Sequence, residues 1–255
     1  MTSSSAALTV PVDLGPRSYD IAIVSDDLSQ VANRIETWAT KTTDTPSRTA
    51  LIISDANVAS RYATLVADSL KQVGWTVETA VLEAGEQSKC QSVVSGLYDT
   101  LVAMQADRRT IVIAVGGGVV GDISGFVAAS YARGIPFVQV PTTLLAQVDS
   151  SVGGKVGINH PKGKNLIGAF HQPLGVFIDT TTLDSLPDRD YRSGMAEVVK
   201  YGVILDEKFF TYLESHQNDV NNREANVLRH VVARCCQLKA DIVEQDEYER
   251  TGVRA

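Results

Sequence analysis

The chain has 255 residues, of which 44% are hydrophobic and 21% charged, with a formal net charge of −7. That is enough chain for a substantial core in one or two domains, and the composition excludes a disordered, collagenous or coiled-coil polypeptide. The acidic balance argues against a broad surface for nucleic acid or anionic lipid but leaves room for a local basic pocket.

Met1–Ala7 has neither the form of a secretory signal nor the arginines of a transit peptide, and no apolar run approaches the roughly 20 residues of a membrane helix. Two short runs, Leu8–Leu14 and Tyr19–Val24, predict a leading hairpin. Thr49–Ile53 reads as a strand, followed by a helix from about Asn57 to Val73. Thr76–Leu82 is a second strand, with a helix from Ser88 to about Met104 behind it. Thr110–Val115 is continuously apolar, as in a strand buried on both faces, and Phe137–Val140 follows about a helix later. This alternation predicts an α/β fold with a Rossmann-like parallel sheet. Residues 1–185 hold 16 of the 19 glycines and 7 of the 8 prolines. The rest, residues 186–255, reads as an all-helical second domain with helices over Asp190–Val203 and Arg223–Glu244 and a shared apolar stripe of Val227, Val231, Leu238 and Ile242. Cys90, Cys235 and Cys236 make no disulfide framework and read as reduced thiols of a cytoplasmic protein.

The strongest local signal is Gly116-Gly117-Gly118-Val119-Val120-Gly121-Asp122, which follows the buried strand and opens a helix. Glycines there let the backbone approach a diphosphate, and the helix N-terminus supplies N–H donors and a positive dipole end. The motif lies on a late strand, and no acid closes the next strand at Val140. A ribose-binding acid would come from Asp55, which could equally cap the next helix, or from Glu86 in Gly85-Glu86-Gln87-Ser88-Lys89. Thr142 and Thr143 follow a strand end and can bond cofactor or substrate oxygens, with Asp149 six or seven residues beyond them.

Gly153–Asn165 carries Lys155, Lys162 and Lys164 among four glycines, which predicts an anion-binding loop able to close over a ligand. Glu197 and Lys200, three apart on a helix, form either an ion pair or a carboxylate metal ligand with a lysine beside it. A carboxylate alone cannot hold zinc, and His160, His171, His216 and His230 show no paired metal spacing.

Five ordered motifs carry a resemblance: Gly85–Lys89, Gly116–Asp122, Pro141–Lys155, Gly163–Phe170 and Gly194–Gly202. Together they resemble the 3-dehydroquinate synthase family of sugar-phosphate cyclases. The resemblance implies NAD, a divalent metal (zinc or cobalt) and a small phosphorylated keto acid as substrate, with no nucleic acid or membrane partner. It also implies NAD-dependent oxidation, phosphate loss, re-reduction and an intramolecular aldol closure. By motif it implies cofactor contacts at Asp55, Gly85, Glu86, Lys89, Gly116–Asp122, Thr142, Thr143, Thr182, Leu183 and Ser185, with Lys155 and Lys164 nearby. Substrate residues would be Asp149, Lys155, Lys164, Asn165, Lys200, Lys239 and Arg254. Glu197 would be the metal carboxylate, and Arg133 would reach a neighbouring subunit's phosphate site in a homodimer. In the family, two histidine metal ligands follow the position of Arg254, so the resemblance implies an incomplete member, with a second domain that is incomplete too. Two other readings remain: a non-catalytic NAD-binding fragment or remnant, and a different sugar-phosphate cyclase or an iron-type alcohol dehydrogenase relative.

Overall fold

The computed structural model describes residues 7–40 and 47–253. Nine strands are present among them: β1 (Leu8–Val12), β2 (Tyr19–Val24), β3 (Thr49–Asp55), β4 (Thr76–Leu82), β5 (Ile111–Gly116), β6 (Phe137–Pro141), β7 (Lys155–His160), β8 (Gly163–Phe170) and β9 (Gly175–Asp179). The helices are α1 (Val31–Thr40), α2 (Thr64–Gln72), α3 (Gln91–Ala103), α4 (Gly118–Ser130), α5 (Asp188–Leu205), α6 (Glu207–Ser215), α7 (Gln217–Asn221) and α8 (Ala225–Gln245).

Seven strands form one sheet in the order β1-β2-β9-β6-β5-β3-β4, and every pairing is parallel except β1 with β2. The apolar runs of β3, β5 and β6 account for this arrangement, because strands buried on both faces need no alternation. The α/β reading therefore holds. The leading hairpin forms and joins the sheet through β2 and β9.

Chain order reverses at β3. β4 lies on one side of it and β5 on the other, so the carboxyl ends of β3 and β5 flank the switch point where such sheets bind ligands. Helices α1 and α2 cover one face through Val31, Ile35, Trp38, Val66 and Leu70. Helices α3 and α4 cover the other, with Val156 and Ile158 of β7 packed beside them. The C-terminal helices share a core with the sheet. Leu228, Val231, Val232, Cys235 and Leu238 belong to the same buried cluster as Val10, Val12, Ile21 and Ile23.

Three local differences from the sequence reading matter. The segment Gly153–Asn165 is not an open loop: its lysines sit in the β7–β8 hairpin and its turn. Gly157 faces Gly168 across the pairing, and each lies so close to the opposite backbone that a Cβ at Gly157 would stand 2.7 Å from the Ile167 carbonyl oxygen. The helix read from Asn57 instead begins with a wide turn at Ala59–Ala63 before α2. Helix α1 and strand β9, which the sequence reading passed over, complete the sheet and one of its covers.

Candidate active site

The glycine run sits where β5 hands over to α4. Gly116 ends the strand, Gly117 precedes the helix and Gly118 is its first residue. The spacing is enforced by neighbours as well as by any ligand. A Cβ at Gly117 would meet Thr143 at 3.1 Å, and one at Gly121 would meet the Gln139 side chain at 2.8 Å. Thr142 lies buried just after β6, and its Oγ1 has no hydrogen-bond partner among the described residues. Gln147 joins the neighbouring strand ends by donating to Thr182 Oγ1 at 3.0 Å and to the Pro141 and Asp179 carbonyls, while its own Oε1 finds no donor among the described residues. Orphaned buried polar groups at the carboxyl ends of parallel strands suit a polar ligand lying over them.

Beyond the first turn of α4, Asp122 reaches a compact polar network. Lys89, whose side chain is 4% exposed, donates to Asp122 Oδ2 at 2.6 Å and to Asn165 Oδ1 at 2.5 Å. Burial lifts the Asp122 carboxyl above its ordinary value, Lys89 opposes that lift, and the charges of Glu86 and Asp149 add to it. The network joins three segments far apart in sequence: the loop after β4, helix α4 and the lysine hairpin.

A cleft of about 490 Å³ opens beside this network, with Asp122, Asp149, Ser150, Lys155, Asn165 and Lys239 among its walls. Asp149 sits in a wide turn at Ala146–Ser150, and its Oδ1 accepts from Lys239 Nζ at 2.7 Å and from the Tyr201 hydroxyl at 3.2 Å. Burial first, and then the charges of Asp149 and Glu197, hold the Tyr201 phenol far above its ordinary pKa, so it stays a neutral donor. Glu197 takes Lys200 at 2.9 Å, and this hydrogen bond raises the Lys200 pKa. Lys155 pairs with Glu249, from the turn that follows α8. Each of three cleft-side lysines thus has its own carboxylate: Asp122 for Lys89, Asp149 for Lys239 and Glu249 for Lys155.

The cleft brings together Asp122, Asp149, Lys155, Asn165 and Lys239, with Lys89 bonded into its wall. Glu86 joins the network through Asn159, whose Nδ2 donates to Glu86 Oε1 at 2.8 Å. Asp55 accepts from the Asn57 backbone N–H at 2.8 Å in a local turn, and it does not cap the next helix, whose N-cap is Val58. Thr182 and Ser185 lie against the Tyr62 hydroxyl, and Leu183 is buried. Lys164 and Arg133 are exposed and are not among the cleft-lining residues. Arg254 lies outside the described residues. Among the described residues no three His, Cys, Asp or Glu side chains converge as metal ligands, so Glu197 stands without partners for a metal.

Sequence reasoning missed Asn159, Gln147, Tyr201 and Glu249. Only Glu249 carried a usable signal, in an acidic run close behind Lys239.

Two family profiles cover most of the chain. One, 3-dehydroquinate synthase N-terminal, matches residues 79–193, and the other, 3-dehydroquinate synthase C-terminal, matches residues 194–255. The 3-dehydroquinate synthase of Desulforamulus reducens is 50% identical over 97% of this chain and 67% of its own length. That of Pelotomaculum thermopropionicum is 49% identical over 97% of this chain and 65% of its own. The chain therefore spans about two thirds of the length of these relatives. Among solved structures, a 2-deoxy-scyllo-inosose synthase complexed with carbaglucose-6-phosphate, NAD+ and Co2+ superposes with a TM-score of 0.83 at 31% identity. The match covers 95% of this chain and 64% of that one. The 2-epi-5-epi-valiolone synthase of Streptomyces hygroscopicus, with NAD+ and Zn2+ bound, gives a TM-score of 0.79 at 30% identity, covering 91% of this chain and 63% of that one. An iron-containing alcohol dehydrogenase shares the fold at 14% identity and a TM-score of 0.65. On the profile matches and the half-identical relatives together, this chain belongs to the 3-dehydroquinate synthase family.

Proposed function

We propose that the chain supplies the cofactor and substrate-anion sites of a cytoplasmic enzyme. That enzyme converts 3-deoxy-D-arabino-heptulosonate 7-phosphate into 3-dehydroquinate and phosphate. The observation that carries this reading is the shared cleft. The helix opened by the glycine turn and the lysine hairpin meet through the Lys89–Asp122–Asn165 network and bound the same space.

NAD fits the strand ends. The N–H groups at Gly117–Val119 would receive the diphosphate, with Gly116, Val120, Gly121 and Asp122 shaping the turn. Thr142 would give its orphaned hydroxyl, Asp55 or Glu86 would take the ribose, and Lys89 and Thr143 would border the same pocket. Thr182, Leu183 and Ser185 would line the adenosine end. Bound NAD would supply a hydride acceptor that later returns the hydride.

The chain's own residues would bind and orient the substrate. Lys155 and Lys164 would take the substrate's phosphate or carboxylate, which a point charge suits without planar geometry. An incoming phosphate would replace Glu249 at Lys155, so the anion exchanges one counter-charge for another rather than entering an unpaired field. Asn165 would hold a substrate hydroxyl. Both protein donors to Asp149 use Oδ1, so its other oxygen can accept a substrate hydroxyl and hold its proton while Lys239 balances the charge. Lys200 would extend the positive side of the cleft.

For a divalent metal the described residues do not suffice, since a zinc site needs about three protein ligands and here Glu197 is bonded to Lys200. Arg133, exposed after α4, would serve a second subunit of a homodimer. The lysine hairpin disfavours a simple alcohol dehydrogenase, whose substrate offers no phosphate to bind.

The test is inorganic phosphate release from the seven-carbon substrate by the protein as the cell makes it. Release that requires NAD is the expected result. NAD binding without release would leave a binding module, and release indifferent to NAD would overturn the cofactor assignment.

A further inference from the structure

Asn159 sits at the one irregularity in the register of the lysine hairpin, where the β7–β8 pairing shifts between Ile158 and His160. The extra residues of this bulge, Lys164–Leu166, belong to β8, and Asn159, the single residue facing them, is left outside the regular ladder. Asn159 uses that freedom completely. Its backbone N–H donates to the Lys89 carbonyl at 2.8 Å, not to the partner strand. Its Oδ1 accepts from the Asn165 N–H at 2.8 Å, and its Nδ2 donates to Glu86 Oε1 at 2.8 Å. Asn165 has a left-handed backbone, with φ of 54°, a conformation asparagine tolerates better than most residues but that still needs holding. It closes the circuit by accepting Lys89 Nζ at 2.5 Å. Lys89, Asn159 and Asn165 therefore form a closed hydrogen-bonded ring, with Glu86 tied to it from the cofactor side.

We infer that Asn159 is a positioning residue that holds the Glu86 loop and Asn165 in one register, so that the cofactor and substrate sites are set by a single amide. This rests on the reading of Glu86 and Lys89 as cofactor residues. An amide is required because one face must accept and the other must donate. Aspartate has the same shape and keeps the acceptor for Asn165, but it turns a carboxylate towards Glu86.

The test is a double-substitution cycle read by titration calorimetry with NAD. Asn159→Asp should weaken NAD binding about fivefold where Glu86 is intact, as expected when a donor is replaced by a like charge. In the Glu86→Gln background the same substitution should cost less than about twofold, because the new amide donates to the new carboxylate. Melting temperatures should stay within about 2 °C, since the exchange is isosteric and Glu86 is exposed. If Asn159→Asp leaves NAD affinity unchanged, or weakens it equally in both backgrounds, the positioning role is refuted. If the unmodified chain fails to bind NAD, the cofactor reading itself falls and this inference falls with it.

Discussion

If Gly118 serves the cofactor and Lys155 the substrate anion, as proposed, their substitution should separate two ligands. A Cβ at Gly118 would already meet Ser150 Oγ at 3.1 Å, so Gly118→Val fills the space in front of the helix N-terminus. NAD affinity should fall at least about tenfold, with inorganic phosphate binding nearly unchanged. Lys155→Ala should do the reverse, removing the cation that Glu249 neutralises in the free protein. Titration of each variant with both probes checks the pair. Equal loss of both ligands in both variants would indicate misfolding instead. At this scale the sequence was informative where a residue type has one main use: a triple glycine after an apolar strand, or lysines in an acidic chain. It was silent on Asn159, because the bonds to Lys89 and Glu86 span about seventy residues and asparagine has many ordinary uses.

Two elements set the geometry of the cleft. Helix α4 approaches the lysine hairpin at Gly125, where a Cβ would collide with Val156 and come within 3.1 Å of Phe137. Gly125→Ala should push the hairpin outward and cost about 1–3 kcal/mol, seen as a lower Tm together with weaker phosphate binding. Helix α6 is held at its start by Asp206, which accepts the Phe209 N–H at 3.0 Å and pairs with Arg234 of α8 at 2.6 Å. The Phe209 N–H first, and Arg234 second, hold the Asp206 carboxyl below its ordinary value of 3.8. A lowered folded-state pKa gives stability that is present above the unfolded value and is lost as pH falls through the folded one. Asp206→Ala should therefore cost about 1 kcal/mol near pH 7, with the gap to the unsubstituted protein closing below about pH 4. Urea unfolding at several pH values measures this. The hairpin was hard to read, because Lys155–His160 and Gly163–Phe170 have few strand formers, chiefly Val156, Ile158, Ile167 and Phe170, among glycines, lysines and asparagines. The glycines that look like a flexible loop instead allow the two strands to approach closely.

Across the whole molecule, the parallel order of β3, β5 and β6 was legible because strands buried on both faces show as unbroken apolar runs. The place of β9 was not. Gly175–Asp179 is short and follows a proline, and only its partners β2 and β6 reveal that it joins the leading hairpin to the main sheet. The same limit applies to the C-terminal helices. Their apolar stripe marks them as helical, yet nothing in the stripe says that they share a core with β1 and β2. On the proposed reading the glycine turn and the lysine hairpin serve one cleft. A crystal structure of the chain with NAD and inorganic phosphate tests it most directly. The expected result is the diphosphate over Gly116–Gly118 and a phosphate against Lys155, on the same side of Asp122. A dinucleotide bound away from the glycine turn, or a phosphate held only outside this cleft, would contradict it.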